Sequence, residues 1–399
     1  MKHSCLFVAI LLICGNLHAQ MWESMASEPY CIDTAQVQTL RIKIDNLSFF
    51  RDNEYSSKQT KGYSLPGLWV QPKLVYTPIR QIELELGAHA LIFNGANKYP
   101  CYVYHDIGTW KGNQYQRGAH VLPWVRAKAQ FKHLTVVLGN IHGAQNHKLP
   151  LPLYNPENNL SQDPEMGFQL LWERKHIIAD TWLNWQSYIF EEDTHQEAFT
   201  VGANWRVLYN APQRKVHWYS PVNLVIQHRG GEQDKTHLGV QTLCNGGAGI
   251  AMQWNPQRHI LSHISAEAQL LGTYQQSGSL WPFSKGMAFH ASTTVTLLQS
   301  LELTAGCFTA PRHFTSLYGA PFFSTLSIRD AENHKGITTV YAQARYHYTF
   351  QRDYTLGAEL EAYESFLGKS AKHKKGNEFN FSFGIYLRLS PSILLKRFR

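Results

Sequence analysis

Breaking an ester or an amide usually calls for an imidazole beside a hydroxyl, because the imidazole takes the proton that makes Ser or Thr nucleophilic. Two stretches come close, His228-Arg229-Gly230-Gly231 and His263-Ile264-Ser265-Ala266. Neither completes an H-x-S-N-G arrangement, since both lack its Asn and Gly. His105-Asp106 is a single dipeptide, where a proteolytic site needs Asp/His and Asp pairs. Of 20 histidines, His3 and His18 fall within the first twenty residues and the others are scattered, with no H-E-x-x-H or H-x-x-E-H. The acidic run Gly230-Gly231-Glu232-Gln233-Asp234 does not have EF-hand spacing. Cys31, Cys101, Cys244 and Cys307 lie far apart without a C-x-x-C pair, so neither a zinc site nor a disulfide framework is expected. These residues point to no enzyme, no metal and no cofactor.

The elements that carry the polar residues are more informative. Between Gln81 and Ile92, Ile82, Leu84, Leu86, Ala88 and Ile92 share one parity, and Glu83, Glu85 and His89 the other. Residues two apart share one face of a strand, so one face is apolar and the other charged. Ile42 and Ile44 oppose Arg41, Lys43 and Asp45 in the same way. Phe379, Phe381, Phe383, Ile385, Leu387 and Leu389 oppose Glu378, Asn380, Ser382, Tyr386 and Arg388. A helical period would spread these apolar residues around a cylinder. The segments run for about ten to fourteen residues, enough to cross a bilayer when tilted. Breaks between them alternate in kind. Short ones fall at 78–80, 132, 175–176, 211–213, 255–258, 299–300 and 351–353. Long polar ones fall at 51–63, 94–115, 143–163, 191–195, 229–235, 276–281, 312–335 and 367–376.

Lys2, His3 and the apolar run Leu6 to Cys14 read as a secretory leader, cleaved after Ala19. Lipidation at Cys14 fits poorly, with bulky Ile13 before it. Residues 20–36 are expected to be a periplasmic N-terminal segment, 37–390 an all-β antiparallel transmembrane barrel, and 391–399 a basic tail. About sixteen strands are expected, with fourteen or eighteen as alternatives. Only 17% of residues are charged and 13% are aromatic. Tyr76, Phe131, Tyr209, Trp254 and Phe350 fall at the short turns, and Phe93, Phe190, Tyr274, Trp281 and Phe366 at the opposite strand ends, as two aromatic girdles would. The net charge of +8 is scattered, which disfavours nucleic acid.

The leader, the alternating strands and the last strand FNFSFGIYLRL (Phe379 to Leu389) resemble porin-type outer-membrane barrels of Gram-negative bacteria. Segments such as SLPGLWVQPKL (64–74) and QHRGGEQD (227–234) are similar to Bacteroidota barrels. The resemblance implies an integral outer-membrane protein in contact with lipid, with a wet interior. Parity then assigns Arg41, Lys43, Glu83, Glu85, Arg126, Lys128, Arg345, His347, Glu359, Glu361 and Arg388 to the lumen. Arg41 and Lys43 should adjoin Arg388 across the closing seam, and Arg345 and His347 should face Glu359 and Glu361. Such pairs brace the wall, or they create a field across a pore. The loop 143–163, with Leu149, Leu151, Tyr154, Glu157 and Asp163, could constrict the lumen, cap it, or join neighbours in a homo-oligomer. The leading functional expectation is a channel for small hydrophilic solutes. The alternative is a closed barrel in an outer-membrane complex for export, assembly or surface polysaccharide. A hydrolase working through His228 or His263 ranks third. Asp33-Thr34-Ala35 fits a short O-glycosylation pattern that recurs by chance.

Overall fold

The computed structural model describes residues 21–93, 118–190, 195–231, 239–256, 260–327, 332–351 and 353–398. The leader and the aromatic loop residues Tyr99, Tyr102, Tyr104, His105, Asp106, Trp110 and Tyr115 lie outside them. The chain forms a closed antiparallel barrel of sixteen strands. In order these are β1 (Thr39–Glu54), β2 (Tyr63–Ile79), β3 (Ile82–Phe93), β4 (Gly118–Gln130), β5 (Leu134–Asn140), β6 (Met166–Arg174), β7 (Ile177–Ser187), β8 (Ala198–Leu208), β9 (Val216–Arg229), β10 (Gln241–Trp254), β11 (Leu261–Ser277), β12 (Lys285–Leu297), β13 (Leu301–Ala310), β14 (Ile337–Phe350), β15 (Tyr354–Leu367) and β16 (Gly376–Leu389). Each pairs with the next, and β16 closes on β1 from Asn46↔Leu389 to Glu54↔Phe381.

The basic tail is not a free extension. Pro391 has no N–H to give the ladder, so the last strand breaks there and resumes as β17 (Ser392–Arg397). β17 pairs with the lower half of β1, from Thr39↔Arg397 to Lys43↔Ser392, and the N–H of Ile44 reaches the Pro391 carbonyl at 3.0 Å across the break. Phe398 then meets Tyr76 edge-on at 5.4 Å. Closure thus covers an edge that would otherwise offer unpaired backbone.

Alternation sets the two faces. Leu84, Leu86, Val121, Val125, Leu270, Met287, Phe379 and Ile385 are exposed on the outside, while Glu83, Glu85, Arg126, Lys128 and Gln269 are buried inside. An exposed apolar wall around a polar, buried interior is the pattern of a barrel in lipid. Phe131, Tyr209, Phe350, Phe190, Tyr274 and Phe366 are exposed near the strand ends. Phe93 and Trp281 depart from the expected girdle, because both are buried inside. Phe93 shares inward parity with Leu91 and packs on Phe49, and Trp281 packs with Val225 and Leu243.

Candidate functional site

The interior is occupied. A helix, α1 (Met21–Ala26), stands inside the barrel with Met21, Trp22 and Met25 buried against Leu47, Leu65, Leu91, Phe93, Leu160 and Tyr386. It fits because the wall is shaped for it. Met25 and Met21 lie over Gly357, which offers no Cβ, and the Trp22 indole N–H donates to Glu359 at 3.1 Å. Residues 21–26, part of the stretch expected in the periplasm, therefore lie inside the barrel. Asp33 ends its path by capping a turn over Thr34–Gln36, accepting from the Ala35 N–H at 3.0 Å.

Two long loops also fold inward. In loop 143–163, Leu149 and Leu151 line a cavity of about 230 Å³ on the short-turn side. Tyr154 bridges to Tyr318 of the loop that follows β13. Glu157 accepts from Asn53 at 2.7 Å and pairs with Arg51 at 2.9 Å, and Asp163 meets His120 at 3.0 Å. Phe314, Phe322 and Phe323 of the loop after β13 pack on Phe308, Tyr341 and Tyr363 of the wall. A second cavity, about 90 Å³, lies between loop 143–163 and β2–β4.

The charged residues assigned to the lumen all point inward, and most are spent on one another. Glu83 meets Lys128 at 2.9 Å and Arg41 at 3.3 Å, Glu85 meets Arg126 at 3.4 Å, and Arg345 meets Glu361 at 2.8 Å and Glu359 at 3.4 Å. Two expected neighbours do not form. Arg388 stands opposite Leu47 because β17, not β16, lies beside Arg41 and Lys43. It donates instead to the Ser24 and Ser27 carbonyls at 2.7 and 3.0 Å. Lys43 meets Asp45 at 3.0 Å. His347 faces Gly357 across β15, two residues from Glu359, so it misses both glutamates.

Parity alone did not reveal the hubs of this network. Arg51 binds Glu157, Glu359 and Glu361 together. Lys73 holds Asp45 at 2.8 Å and Glu28 at 3.0 Å, and Glu28 also pairs with Arg126. Burial by itself would raise the Glu28 carboxyl, but Arg126 and Lys73 hold it well below the usual range. Beside it, burial and Arg126 push the His142 imidazole down to about 3, so it is neutral. His147 is the opposite case. Burial opposes its charge, yet Glu165 at 3.1 Å and Asp180 at 2.7 Å lift it to about 9. Its ring stacks on Trp182 at 3.5 Å, and Trp182 lies in the space that Gly202 leaves empty.

A different site faces outward. At the long-loop ends of four adjacent strands, Trp185, Phe199, His228 and Thr242 form one row in direct register across β7, β8, β9 and β10. His228 Nδ1 lies 3.0 Å from Thr242 Oγ1. Trp185 and Phe199 stack at 5.2 Å, and Phe199 lies 5.2 Å from the His228 ring. All four have the parity of the lipid-facing residues Trp205, Trp218 and Leu224. Below Thr242 the outward residues of β10 are small: Cys244, Gly246 and Ala248. They are flanked by Ile226, Leu224 and Val222 on β9 and by Tyr274, Gly272 and Leu270 on β11. This makes a shallow apolar groove of about 20 Å running down from the hydroxyl–imidazole pair, comparable with one leaflet once strand tilt is included. His263, the other candidate, points inward at the short-turn end, 2.6 Å from Asn255, and cannot meet outer-leaflet lipid. The acidic run at 230–234 falls mostly outside the described residues.

Residues 32–398 match the family model described as lipid A 3'-O-deacylase-type. The chain belongs to this family. That corrects the expectation of a non-enzyme, which rested on the missing H-x-S-N-G: the family is named for an enzyme. No curated protein matches the sequence significantly. Among solved structures, the outer membrane protein opdK from Pseudomonas aeruginosa is 8% identical with a TM-score of 0.50, over 89% of this chain and 99% of that one. A BenF-like porin from Pseudomonas fluorescens Pf-5 is 8% identical with a TM-score of 0.49, over 89% of this chain and 100% of its own. At such identity the likeness concerns the fold alone, and this lipid A 3'-O-deacylase-type chain is an integral outer-membrane barrel. Its porin-like wall is turned to a filled interior.

Proposed function

We propose that this chain is an outer-membrane ester hydrolase that removes an acyl chain from lipid A, with Thr242 as nucleophile and His228 as its base. The observation that carries the reading is the 3.0 Å contact between His228 Nδ1 and Thr242 Oγ1 on the lipid-facing wall, at the level where the outer leaflet meets water. His228 Nδ1 takes the Thr242 proton as Oγ1 attacks the ester carbonyl. The bond between the acyl carbon and the sugar oxygen breaks, and the protonated imidazole gives its proton to the departing sugar alkoxide. Water, deprotonated by the same imidazole, then attacks the acyl-threonine and releases the fatty acid. Trp185 and Phe199 give the glycolipid an aromatic flank, and Cys244, Gly246 and Ala248 give the acyl chain a groove. The family supports the substrate class. The channel reading has less behind it, because α1 and the two inward loops occupy the interior.

Purified barrel mixed with lipid A in detergent micelles tests this. Wild type should release free fatty acid, and His228→Ala and Thr242→Ala should each slow release by at least about 100-fold, the usual scale for losing a general base. Thr242→Ser should keep most of the rate. Undiminished release by both alanine variants would overturn the assignment.

A further inference from the structure

The neighbouring short turns that follow β4, β6 and β8 enclose a groove of about 780 Å³. Sites that take a small molecule usually measure about 300–1,000 Å³. The backbone fixes its walls. Glu173 donates its N–H to the His133 carbonyl at 3.0 Å, and Leu208 donates to His176 at 2.9 Å, so the strand ends around the groove are tied together. Asn210 holds the turn after β8: its Oδ1 accepts the Trp218 N–H at 2.9 Å, and its Nδ2 donates to the Val216 carbonyl at 2.9 Å. Leu208 and Pro212 give the groove apolar surface, while Lys132, Arg174, Lys175 and Arg214 set four cations against one carboxylate, Glu173. All five charged residues are exposed, and none has an ion pair among the described residues. In the lumen the cations are matched by carboxylates. Here like charges share neighbouring turns, which is unfavourable without a counter-ion.

The level of these cations says which counter-ion meets them. Phe131, Trp172 and Tyr209, exposed on the outer face, mark where hydrocarbon ends on this side. Lys132 follows Phe131 directly. Arg174 lies two residues beyond Trp172 on the same face of β6, about 7 Å further along the strand. The polar layer of one leaflet is about 5–8 Å deep, so the cations stand at headgroup height. Short turns of such barrels face the periplasm, which makes this the inner leaflet. We propose that the groove binds the headgroup of an anionic glycerophospholipid. Arg174 and Arg214 hold the phosphate, whose oxygens suit a guanidinium fork, and Lys132 and Lys175 favour a headgroup of net negative charge over a zwitterionic one. The acyl chains lie along Phe131, Trp172 and Tyr209. The groove is at the opposite membrane surface from Thr242 and His228 and does not depend on what they do.

The test uses the purified barrel in detergent, with folding checked by heat-modifiable migration. It is stripped of lipid and titrated with phosphatidylglycerol or phosphatidylethanolamine of the same acyl chains, and retained lipid is measured by native mass spectrometry. Phosphatidylglycerol should bind at least about tenfold more tightly. Arg174→Gln and Arg214→Gln should each weaken it about fivefold, the scale of one cation at an anionic lipid surface, and leave phosphatidylethanolamine unchanged. If either does not fold, Lys175→Gln, at a turn tip, replaces it. Lys369→Gln combined with Lys374→Gln, exposed at the long-loop mouth, should keep the wild-type preference. Equal retention of the two lipids, folded groove variants that bind like wild type, or an equal loss in the long-loop variant would overturn the proposal. Displacement of phosphatidylglycerol by millimolar inorganic phosphate would overturn it as well, by making the groove a site for the free anion.

Discussion

His147 makes the stability of the inner loop depend on pH in a defined direction. It is buried between Glu165 and Asp180 and stacked on Trp182, and its pKa moves from 6.5 to about 9 in the folded chain. That displacement corresponds to about 3 kcal/mol of folded-state preference for the imidazolium. Because the folded value is the higher one, this stability is fully present below about pH 6.5 and is lost as pH rises through 9. At the acid end, Glu165 sits below its usual 4.5, where the neighbouring imidazolium outweighs its burial. Its share is present above pH 4.5 and is lost as pH falls through the depressed value. Urea midpoints in detergent, read by tryptophan fluorescence at several pH values between 6 and 10, measure the effect. Wild type should exceed His147→Gln by about 3 kcal/mol near pH 6, and the gap should close above pH 9. His147→Phe, which keeps the ring over Trp182, should restore packing without restoring the pH dependence. Identical pH profiles for wild type and His147→Gln would show that the buried imidazolium does not set this stability.

Two further outcomes follow from the interior. Arg51→Met strips the cation from Glu157, Glu359 and Glu361 at once, and should destabilise the barrel by about 3–5 kcal/mol in the same urea assay, since breaking a buried ion pair strands its partners. In planar bilayers, wild type should show no steady conductance steps, whereas Trp22→Ala, which removes the largest side chain of α1 from its seat, should show intermittent ones. Steady wild-type conductance would contradict a filled interior.

How much of this was legible in the residues depended on distance along the chain. Strands were readable because alternation is local: Glu83 and Glu85 against Leu84 and Leu86 settle a face without knowledge of any neighbour. Arg51 was lost because the first strand was ended at residue 50, although Arg51 continues the parity of Arg41 and Lys43. Lys73 carries the same signal, two residues from Gln71 on β2. The plug was not legible at all, since Met21-Trp22-Glu23-Ser24-Met25 is too short to declare a helix and its partners lie on β1, β2, β3 and β16. Phe93 and Trp281 sit at strand ends like girdle residues, but the parity of Leu91 turns Phe93 inward, and Trp281 lies in the loop between β11 and β12, where it folds onto Val225 and Leu243 and no parity applies. The hydroxyl–imidazole pair could not be found by a motif. Thr242 lies fourteen residues beyond His228 and meets it only through the register of β9 with β10.

Acyl transfer through Thr242 is tested by hydrolysing lipid A in water enriched with ¹⁸O. Wild type should release fatty acid carrying the heavy oxygen, the sugar hydroxyl should keep its original oxygen, and Thr242→Ala should release none above background. No fatty acid from folded wild type, or heavy oxygen entering fatty acid at an undiminished rate with Thr242→Ala, would contradict it.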